Sequence, residues 1–307
     1  MPEIETVLSK GGTAPIDFTL HDEEHACRVA QRMAKLLRDD VAGKLGTFEI
    51  CMLLLSAYLH DIGMTPTRKV VKHHHRYILT KGENLLSEAE ARDLQSWLDE
   101  AHGGLELPVE AGITTVAGLD EAQELVAYYC RHRHNDWSET WIREHLADAK
   151  APLCPGWVDD LATLRRSHHE GLEALRHTRF NARYRGSPAQ VVNLRFLAAL
   201  LRVADVLEFD PERTPAVIIA HREIAPTSRV YWHKDRFGFV IDREKPEFRL
   251  DATTSDAKVH RAVLETVQQV DQELLTCNAL ARSGPFVSGR LRMSVATGPG
   301  RPRSTRP

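Results

Sequence analysis

Helical periodicity dominates the first two thirds of the chain. Between positions 22 and 38, apolar residues recur at spacings of three and four, which predicts an amphipathic helix. Residues 48–60 are almost all apolar and predict a buried helix that stops at Gly63. Ser87, with Glu90 three positions later, predicts the capped start of a helix over 87–101. Further helices are predicted at 68–80, 119–133, 138–149, 157–177 and 188–208.

The pattern changes after Pro215. Segments 229–235 (RVYWHKD) and 237–242 (FGFVID) predict a β-hairpin, and EFRL at 247–250 predicts a further short strand. Residues 255–282 carry an apolar stripe that predicts one long helix, ended by Gly284. We therefore expect a mainly α fold in three parts: a helical domain at 1–215, a β-hairpin and helix appendage at 216–285 that packs on it, and a disordered Pro/Gly/Arg-rich tail at 286–307.

Composition narrows the function classes. The chain has 307 residues, a net charge of −3 and 27% charged residues, which argues against a chain built to bind nucleic acid or an anionic membrane. Its five cysteines are scattered without a CxxC pair, which is typical of a reducing compartment. The first residues show no basic and apolar leader, and the longest apolar run is far short of the ~20 residues of a membrane span. We expect a soluble, cytoplasmic protein.

Four polar side chains interrupt the apolar helices: His25, His60, Asp61 and Asp205. A buried carboxylate without a partner costs several kcal/mol, so each aspartate should be paired or metal-bound. Taken singly, each has an ordinary explanation: a core histidine, a helix-end pair favoured by the helix dipole, or an ion pair with Arg202. One divalent cation explains all four, and mixed oxygen and nitrogen ligands favour Mn, Fe, Zn, Co or Ni over Ca or Mg.

Three stretches, HDEEHACRVA, LLLSAYLHDIGM and LAALLRVADVLEF, together resemble the HD superfamily of metal-dependent phosphohydrolases over residues 15–215. The resemblance implies a helical bundle of the HD type. The implied metal ligands are His25, His60, Asp61 and Asp205. His21, one turn before His25, lies either at the pocket rim or on the surface. Met64 stands where cyclic-dinucleotide-cleaving branches usually carry Lys, and their GYP signature is absent, which argues against that substrate.

Some branches of the superfamily bind a second metal through histidines between the HD pair and the last aspartate. This chain has two groups in that order, His73 to His75 and the pair His132 and His134. Spacing does not choose among them; we favour His74 and His132, with His134 as a further candidate ligand. We assign catalytic roles to Asp61, His74 and His132. Alternatively, these histidines contact substrate phosphate or are solvated, which leaves open one ion or two.

Basic side chains accompany the candidate ligands along the chain. A phosphate-bearing substrate needs such cations, and arginine can hold phosphate oxygens in a fork. The alternative is a solvated face, or, for the arginine inside an apolar helix, a pair with a neighbouring acid. The candidate substrate-binding residues are Arg68, Lys72, Arg76, Arg131 and Arg202.

The resemblance implies a phosphohydrolase that cleaves an ester or anhydride of a small, nucleotide-like substrate with metal-activated water. Two alternatives remain: a sensor that binds a nucleotide with little turnover, and a purely structural metal site. The chain carries no GxSxG, P-loop or GxGxxG motif. The segment after 215 is similar to the region C-terminal to the HD core in a branch found with Hsp90-like ATPase modules. Expected protein partners are therefore a fused or separate ATPase module or a second copy of the chain.

Overall fold

The described part of the chain is mainly α-helical, as predicted. The computed structural model describes residues 2–10, 21–37, 39–102, 116–147, 155–184, 191–209, 214, 216–222, 224, 226–235, 237, 239–242, 247–250, 252–282 and 294–296. Its helices are α1 (Pro2–Lys10), α2 (Glu23–Leu36), α3 (Asp39–Ala42), α4 (Thr47–Leu59), α5 (Arg68–Thr80), α6 (Glu88–His102), α7 (Val116–Leu146), α8 (Trp157–Arg166), α9 (Leu194–Val206), α10 (Ala216–His221), α11 (Pro226–Lys234) and α12 (Ala257–Arg282).

The remaining regular elements are short. Single 3-10 turns span Ile62–Met64, Ser167–His169, Leu172–Arg176 and Thr178–Phe180. Strand β1 (Arg183–Tyr184) pairs antiparallel with β2 (Val191–Val192). Strand β3 (Phe239–Asp242) pairs antiparallel with β4 (Glu247–Leu250), and β4 pairs in parallel with β5 (Ser294–Ala296). The rest of the predicted tail, and the predicted helix end at Gly284, lie outside the described residues.

The hairpin predicted from 229–235 and 237–242 is wrong. Residues 229–234 lie in α11, so the first arm is helical, and strand β3 pairs instead with the segment 247–250. Helix α11 packs against α12, and its Trp232 is completely buried whereas the adjacent Tyr231 is 61% exposed. The buried face of this helix outweighs the strand preference of Val, Tyr and Trp, because β-propensity depends mainly on packing context.

Three further helix predictions differ from the structure. The helix expected at 188–208 begins only at Leu194, after strand β2. The helices expected at 119–133 and 138–149 are one helix, α7, because the polar residues between them have partners on neighbouring turns and helices. Asn135 accepts a hydrogen bond from the buried Arg165, and Ser138 Oγ donates to the His134 carbonyl. The helix expected at 157–177 ends at Arg166 and continues as 3-10 turns. The predicted capping box of α6 is confirmed, since Ser87 and Glu90 bond reciprocally.

Most buried apolar residues of the described segments form two clusters. The larger one joins α2, α4 and α9 at its centre and includes side chains from α1, α8 and α12. The smaller one joins α5, α6 and α7. The segment from His60 to Thr65 connects α4 in the first cluster to α5 in the second, and α7 packs closely on it. The HD pair therefore lies where the two clusters meet.

One buried ion pair attaches the C-terminal helix to the helical domain. Arg202 on α9 and Glu273 on α12 are both almost inaccessible, and the guanidinium meets both carboxylate oxygens, at 3.0 Å from Nε and 2.5 Å from Nη2. The same guanidinium donates to the carbonyls of Ser167 and Glu170. Arg202 therefore connects three segments: α9, α12 and the turn that comes after α8.

The stretch Thr47–Thr80 is apolar enough, by length and composition alone, to cross a membrane. It consists of α4, the segment His60–Thr65 (the HD turn) and α5, and 61% of its most apolar window is buried inside the fold. Its apolar side chains therefore serve mainly to fill the core.

Gly63 leaves no room for a side chain. A Cβ there would lie 2.0 Å from the His134 carbonyl oxygen and 2.7 Å from the Ser138 nitrogen, both backbone atoms of α7. We expect Gly63→Ala to lower the free energy of unfolding by about 1–3 kcal/mol or more, because α7 must move away from the HD turn. Urea unfolding measures the effect. Gly171→Ala is the control, since a Cβ there meets nothing within 4 Å; equal losses in both variants would contradict the close packing.

The charge of Glu273 should matter for stability. Glu273→Gln leaves the Arg202 guanidinium buried without its counter-charge, which we expect to cost on the order of 3 kcal/mol of unfolding free energy. Glu265→Gln is a matched control on the same helix, because Glu265 is exposed and pairs with the exposed Arg261, and exposed pairs contribute little. Thermal unfolding of both variants checks this; a Glu273→Gln protein as stable as Glu265→Gln would show that the pair does not hold α12.

Candidate metal centre

Five segments bring polar side chains to one point. His25 lies in the first turn of α2, whose N-cap Asp22 accepts a hydrogen bond from the His25 amide. His60 and Asp61 come directly after α4, and Asp205 lies in the last turn of α9. Two more histidines come from α7 and from the 3-10 turn after α8: His134 and His168. All are buried or nearly so; Asp205 is the most exposed, at 28% of its side chain.

The first group of candidate ligands surrounds one oxygen of Asp61. Asp61 Oδ2 lies 3.2 Å from His60 Nε2 and 3.7 Å from His25 Nε2. Asp205 Oδ1 lies 3.5 Å from His60 Nε2 and 3.9 Å from His25 Nε2. The ligand atoms of His25, His60 and Asp61 all lie within 4.8 Å of one another. The structure therefore brings together the four residues that the HD resemblance selected.

The second group surrounds the other oxygen of Asp61. Asp61 Oδ1 lies 3.3 Å from His168 Nε2 and 3.4 Å from His134 Nε2. The ligand atoms of these three residues also lie within 4.8 Å of one another. One carboxylate thus belongs to two adjacent ligand groups, each of which faces a different oxygen.

The second nitrogen of each histidine is held by a fixed acceptor. His25 Nδ1 donates to the Glu208 carboxylate at 3.1 Å, and Glu208 in turn accepts from Arg28. The other three Nδ1 atoms donate to main-chain carbonyls. These carbonyls are Ala57 for His60, Arg131 for His134 and Arg165 for His168. Such outer hydrogen bonds place the proton on Nδ1 and turn the Nε2 lone pair towards the centre, as in known metal sites.

The donor atoms of this centre are arranged to bind a cation rather than to bond to one another. His25 Nε2 and His60 Nε2 lie 3.2 Å apart, and with both protons on Nδ1 two lone pairs would face each other. His168 Nε2 is buried without a hydrogen-bond partner. A buried, unpartnered acceptor is costly, and a positive ion at this point satisfies it. The buried His/Asp groups can therefore bind a divalent metal.

The carboxylates of the centre call for positive charge in the same place. Burial by itself lowers the pKa of His60, but Asp61 and Asp205 outweigh it and raise that pKa well above the ordinary histidine value. Burial raises the pKa of Asp61, but the neighbouring His60 and the close imidazoles of His134, His168 and His25 hold it well below the ordinary value. Two ionised carboxylates buried together need a positive charge between them.

The centre opens into a cleft of about 570 Å³. His21 is at its rim and lies 3.6 Å from Asp61 Oδ2, so the rim alternative for this residue is favoured. The candidate ligands line one part of the cleft and residues of α11 and α12 line another, so the segment after 215 contributes to the site. A structural metal site is normally closed by protein ligands, whereas this one faces an open cleft.

The predicted residues of α5 lie away from the centre. His74 donates from Nδ1 to the Val70 carbonyl and packs between Tyr129 and Trp137, and burial lowers its pKa. It thus belongs to the smaller apolar cluster. Three predicted substrate-binding cations are exposed on the same helix and do not line the cleft. They are Arg68, Lys72 and Arg76.

Some of the predicted residues of α7 and α9 reach the centre or the cleft, and others do not. His132 lies beside Trp97 and Tyr129, whereas His134, two positions on, reaches Asp61. Arg131 and Arg202 both line the cleft, but Arg202 is engaged by Glu273. The structure therefore brings His134 to the centre and leaves His132 outside both ligand groups.

Sequence reasoning missed His168. The adjacent pair His168 and His169 was visible in the sequence, between the other histidine groups and Asp205, but no HD motif or helical period marks it. Arg165 and Arg166 before the pair, at the end of an amphipathic helix, were the only local signal. Both histidines line the cleft, and the ring of His169 lies 4.5 Å from that of His134. Glu208, which holds His25, was also missed.

A helical domain that joins a histidine, a His-Asp pair and a distant aspartate around one centre is an HD-type domain. Residues 16–276, well over half of the chain, match the family HD-CE. The chain belongs to the HD-CE family. The match runs across the boundary expected at 215 and includes most of α12. No curated protein and no solved structure matches the chain.

Metal content should distinguish the histidines of the two ligand groups from those that the sequence favoured but the structure leaves outside. We expect protein purified without chelator to contain a divalent transition metal, and His168→Gln to lower the metal-to-protein ratio by removing an Nε2 ligand. Asp61→Asn should lower it most, because Asp61 belongs to both groups. Inductively coupled plasma mass spectrometry gives the ratios. His132→Gln is the control; metal loss in that variant but not in His168→Gln would favour the sequence-based choice.

Proposed function

We propose that this protein is a metal-dependent phosphohydrolase with a two-ion centre. His25, His60, Asp61 and Asp205 hold the first ion. His134, His168 and the second oxygen of Asp61 hold the other. One observation supports the proposal above all: the two oxygens of Asp61 each face a separate group of imidazole Nε2 atoms.

The chain's own residues prepare this centre for hydrolysis. A divalent ion bound there supplies activated water for attack on phosphorus and offsets charge on the phosphoryl oxygens. Asp61 sets the spacing of the two ligand groups, and the fixed Nδ1 hydrogen bonds keep the imidazoles from turning. Most of the ligand atoms are buried, so the site is preorganised on rigid helices before substrate arrives.

One cation of the cleft suits an anionic substrate near the candidate ligands. Arg131 lines the cleft one turn before His134. We assign phosphate contacts to Arg131, since a guanidinium can hold phosphate oxygens in a fork. Arg202 holds Glu273 and two main-chain carbonyls, so we assign it to positioning α12 and the His168 turn. We propose that the substrate is a nucleotide-like phosphate ester or anhydride.

Turnover of a phosphate panel tests the proposal. The substrates are nucleoside mono-, di- and triphosphates and a phosphodiester, with added Mn²⁺, and the products are orthophosphate, pyrophosphate and nucleoside. We expect release from at least one substrate, and a loss of about 100-fold or more in kcat/KM for Asp61→Asn, because both ligand groups are lost. Circular dichroism checks that the variant remains folded.

His145→Gln is the matched control for Asp61→Asn. His145 is a histidine of α7 that stacks on Trp141 and belongs to neither ligand group, and its variant should keep full activity. Equal activity in wild type and Asp61→Asn would sink the proposal. Tight nucleotide binding without turnover by the metal-loaded protein would instead favour the sensor alternative.

A further inference from the structure

One wall of the cleft is built by residues after position 215. Helix α11 and the residue after it contribute Tyr231, Lys234 and Asp235, and helix α12 contributes Thr266, Gln269 and Glu273. The cleft volume of about 570 Å³ is within the range of sites that take drug-sized ligands. A single phosphate fills only a small part of it. The cleft therefore has room for a second portion of the substrate that reaches this wall.

Tyr231 offers an aromatic face at the mouth of the cleft. Its side chain is 61% exposed, although the next residue, Trp232, is completely buried and Asp235, one turn on, is buried too. These two anchors fix the rotation of α11, so the position of Tyr231 is set by packing. An exposed tyrosine on a rigid helix provides a large contact surface at low entropic cost.

The polar groups of this wall favour an uncharged, hydrogen-bonding ligand portion. The Lys234 ammonium lies 3.0 Å from Asp235 Oδ1 and 4.2 Å from the centre of the Phe209 ring, so its charge is largely offset. Gln269 is exposed on α12 and carries both donors and acceptors. Thr266 donates its hydroxyl hydrogen to the Ala262 carbonyl, which leaves its oxygen as an acceptor.

We propose that α11 and α12 form a base-recognition wall, in which Tyr231 stacks on a nucleobase and Gln269 bonds the edge of that base, while the phosphate lies at the Asp61 centre. Stacking tolerates every base because each has a π-face, whereas the amide discriminates among base edges. The inference rests on the proposed function for the position of the phosphate. It goes further by assigning base binding to Tyr231 and base selectivity to Gln269.

Paired ligands that differ only in the base test this wall. Isothermal titration calorimetry on the full chain, as purified and with its metal, compares adenosine 5′-monophosphate with ribose 5-phosphate. We expect the nucleotide to bind about tenfold more tightly or better, since base stacking on one aromatic side chain has that effect. Tyr231→Ala should bring the ratio of the two Kd values close to one. Tyr231→Phe keeps the ring and should keep the ratio.

The role of Gln269 is tested with a matched neighbour. Gln268 is also exposed on α12 but does not line the cleft. Across the four common nucleoside 5′-monophosphates, Gln269→Ala should reduce the spread of Kd values by about threefold to tenfold, the effect of one lost hydrogen bond. Gln268→Ala should leave the spread as in wild type. Equal behaviour of the two variants would overturn the assignment of Gln269.

Binding and turnover separate this inference from the proposed function. Equal affinity for nucleotide and ribose phosphate, no binding of either at millimolar concentration, or a ratio unaffected by Tyr231→Ala overturns the base-recognition wall, even if the protein hydrolyses phosphates. A ratio that depends on Tyr231, in a protein that releases no phosphate from any substrate, supports the wall and overturns the hydrolase.

Discussion

The structure depends on keeping one buried carboxylate ionised. Asp61 lies where the two apolar clusters meet, its two oxygens lie within 4 Å of five imidazoles, and a second aspartate lies close by. No single helix could supply these groups, so α2, α4, α7, α9 and the turn after α8 must all pack at fixed distances around it. The apolar clusters hold the helices together. Because a buried, ionised Asp61 is costly without positive charge beside it, the turns that carry the imidazoles must face one another.

The main chain sets the direction of most of these imidazoles. Three Nδ1 atoms donate to carbonyls three residues earlier on their own segments, at Ala57, Arg131 and Arg165. Each ring is therefore fixed to its own backbone rather than to a mobile side chain, and the geometry of the centre is as rigid as the helices. The absence of a side chain at Gly63 also contributes to this geometry. It lets α7 approach the HD turn closely enough for His134 to reach Asp61.

Much of the fold, and all but His168 of the six residues in the two ligand groups, could be predicted from the sequence, with His134 as a further candidate. Polar residues in apolar helices marked His25, the HD pair and Asp205, because burial makes such residues costly without partners. His168 could not be found in this way, since it comes after a helix end on a 3-10 turn, where no periodicity applies. His74 was chosen by order along the chain, but α5 turns it into the smaller cluster. Residues 229–234 have strand preference, and only the packing of α11 on α12 makes them helical.

The Arg202–Glu273 pair limits how the sequence of such a chain can change during evolution. The arginine stands one turn before Asp205 and donates to the carbonyls beside His168, while the glutamate stands on the helix that carries Gln269. A chain that acquired a C-terminal segment from a relative would need an acid at the position of Glu273 to accept the buried guanidinium. The ligand-bearing helices and α12 are therefore constrained together at these two positions, since a segment without that acid would leave the guanidinium buried without its counter-charge.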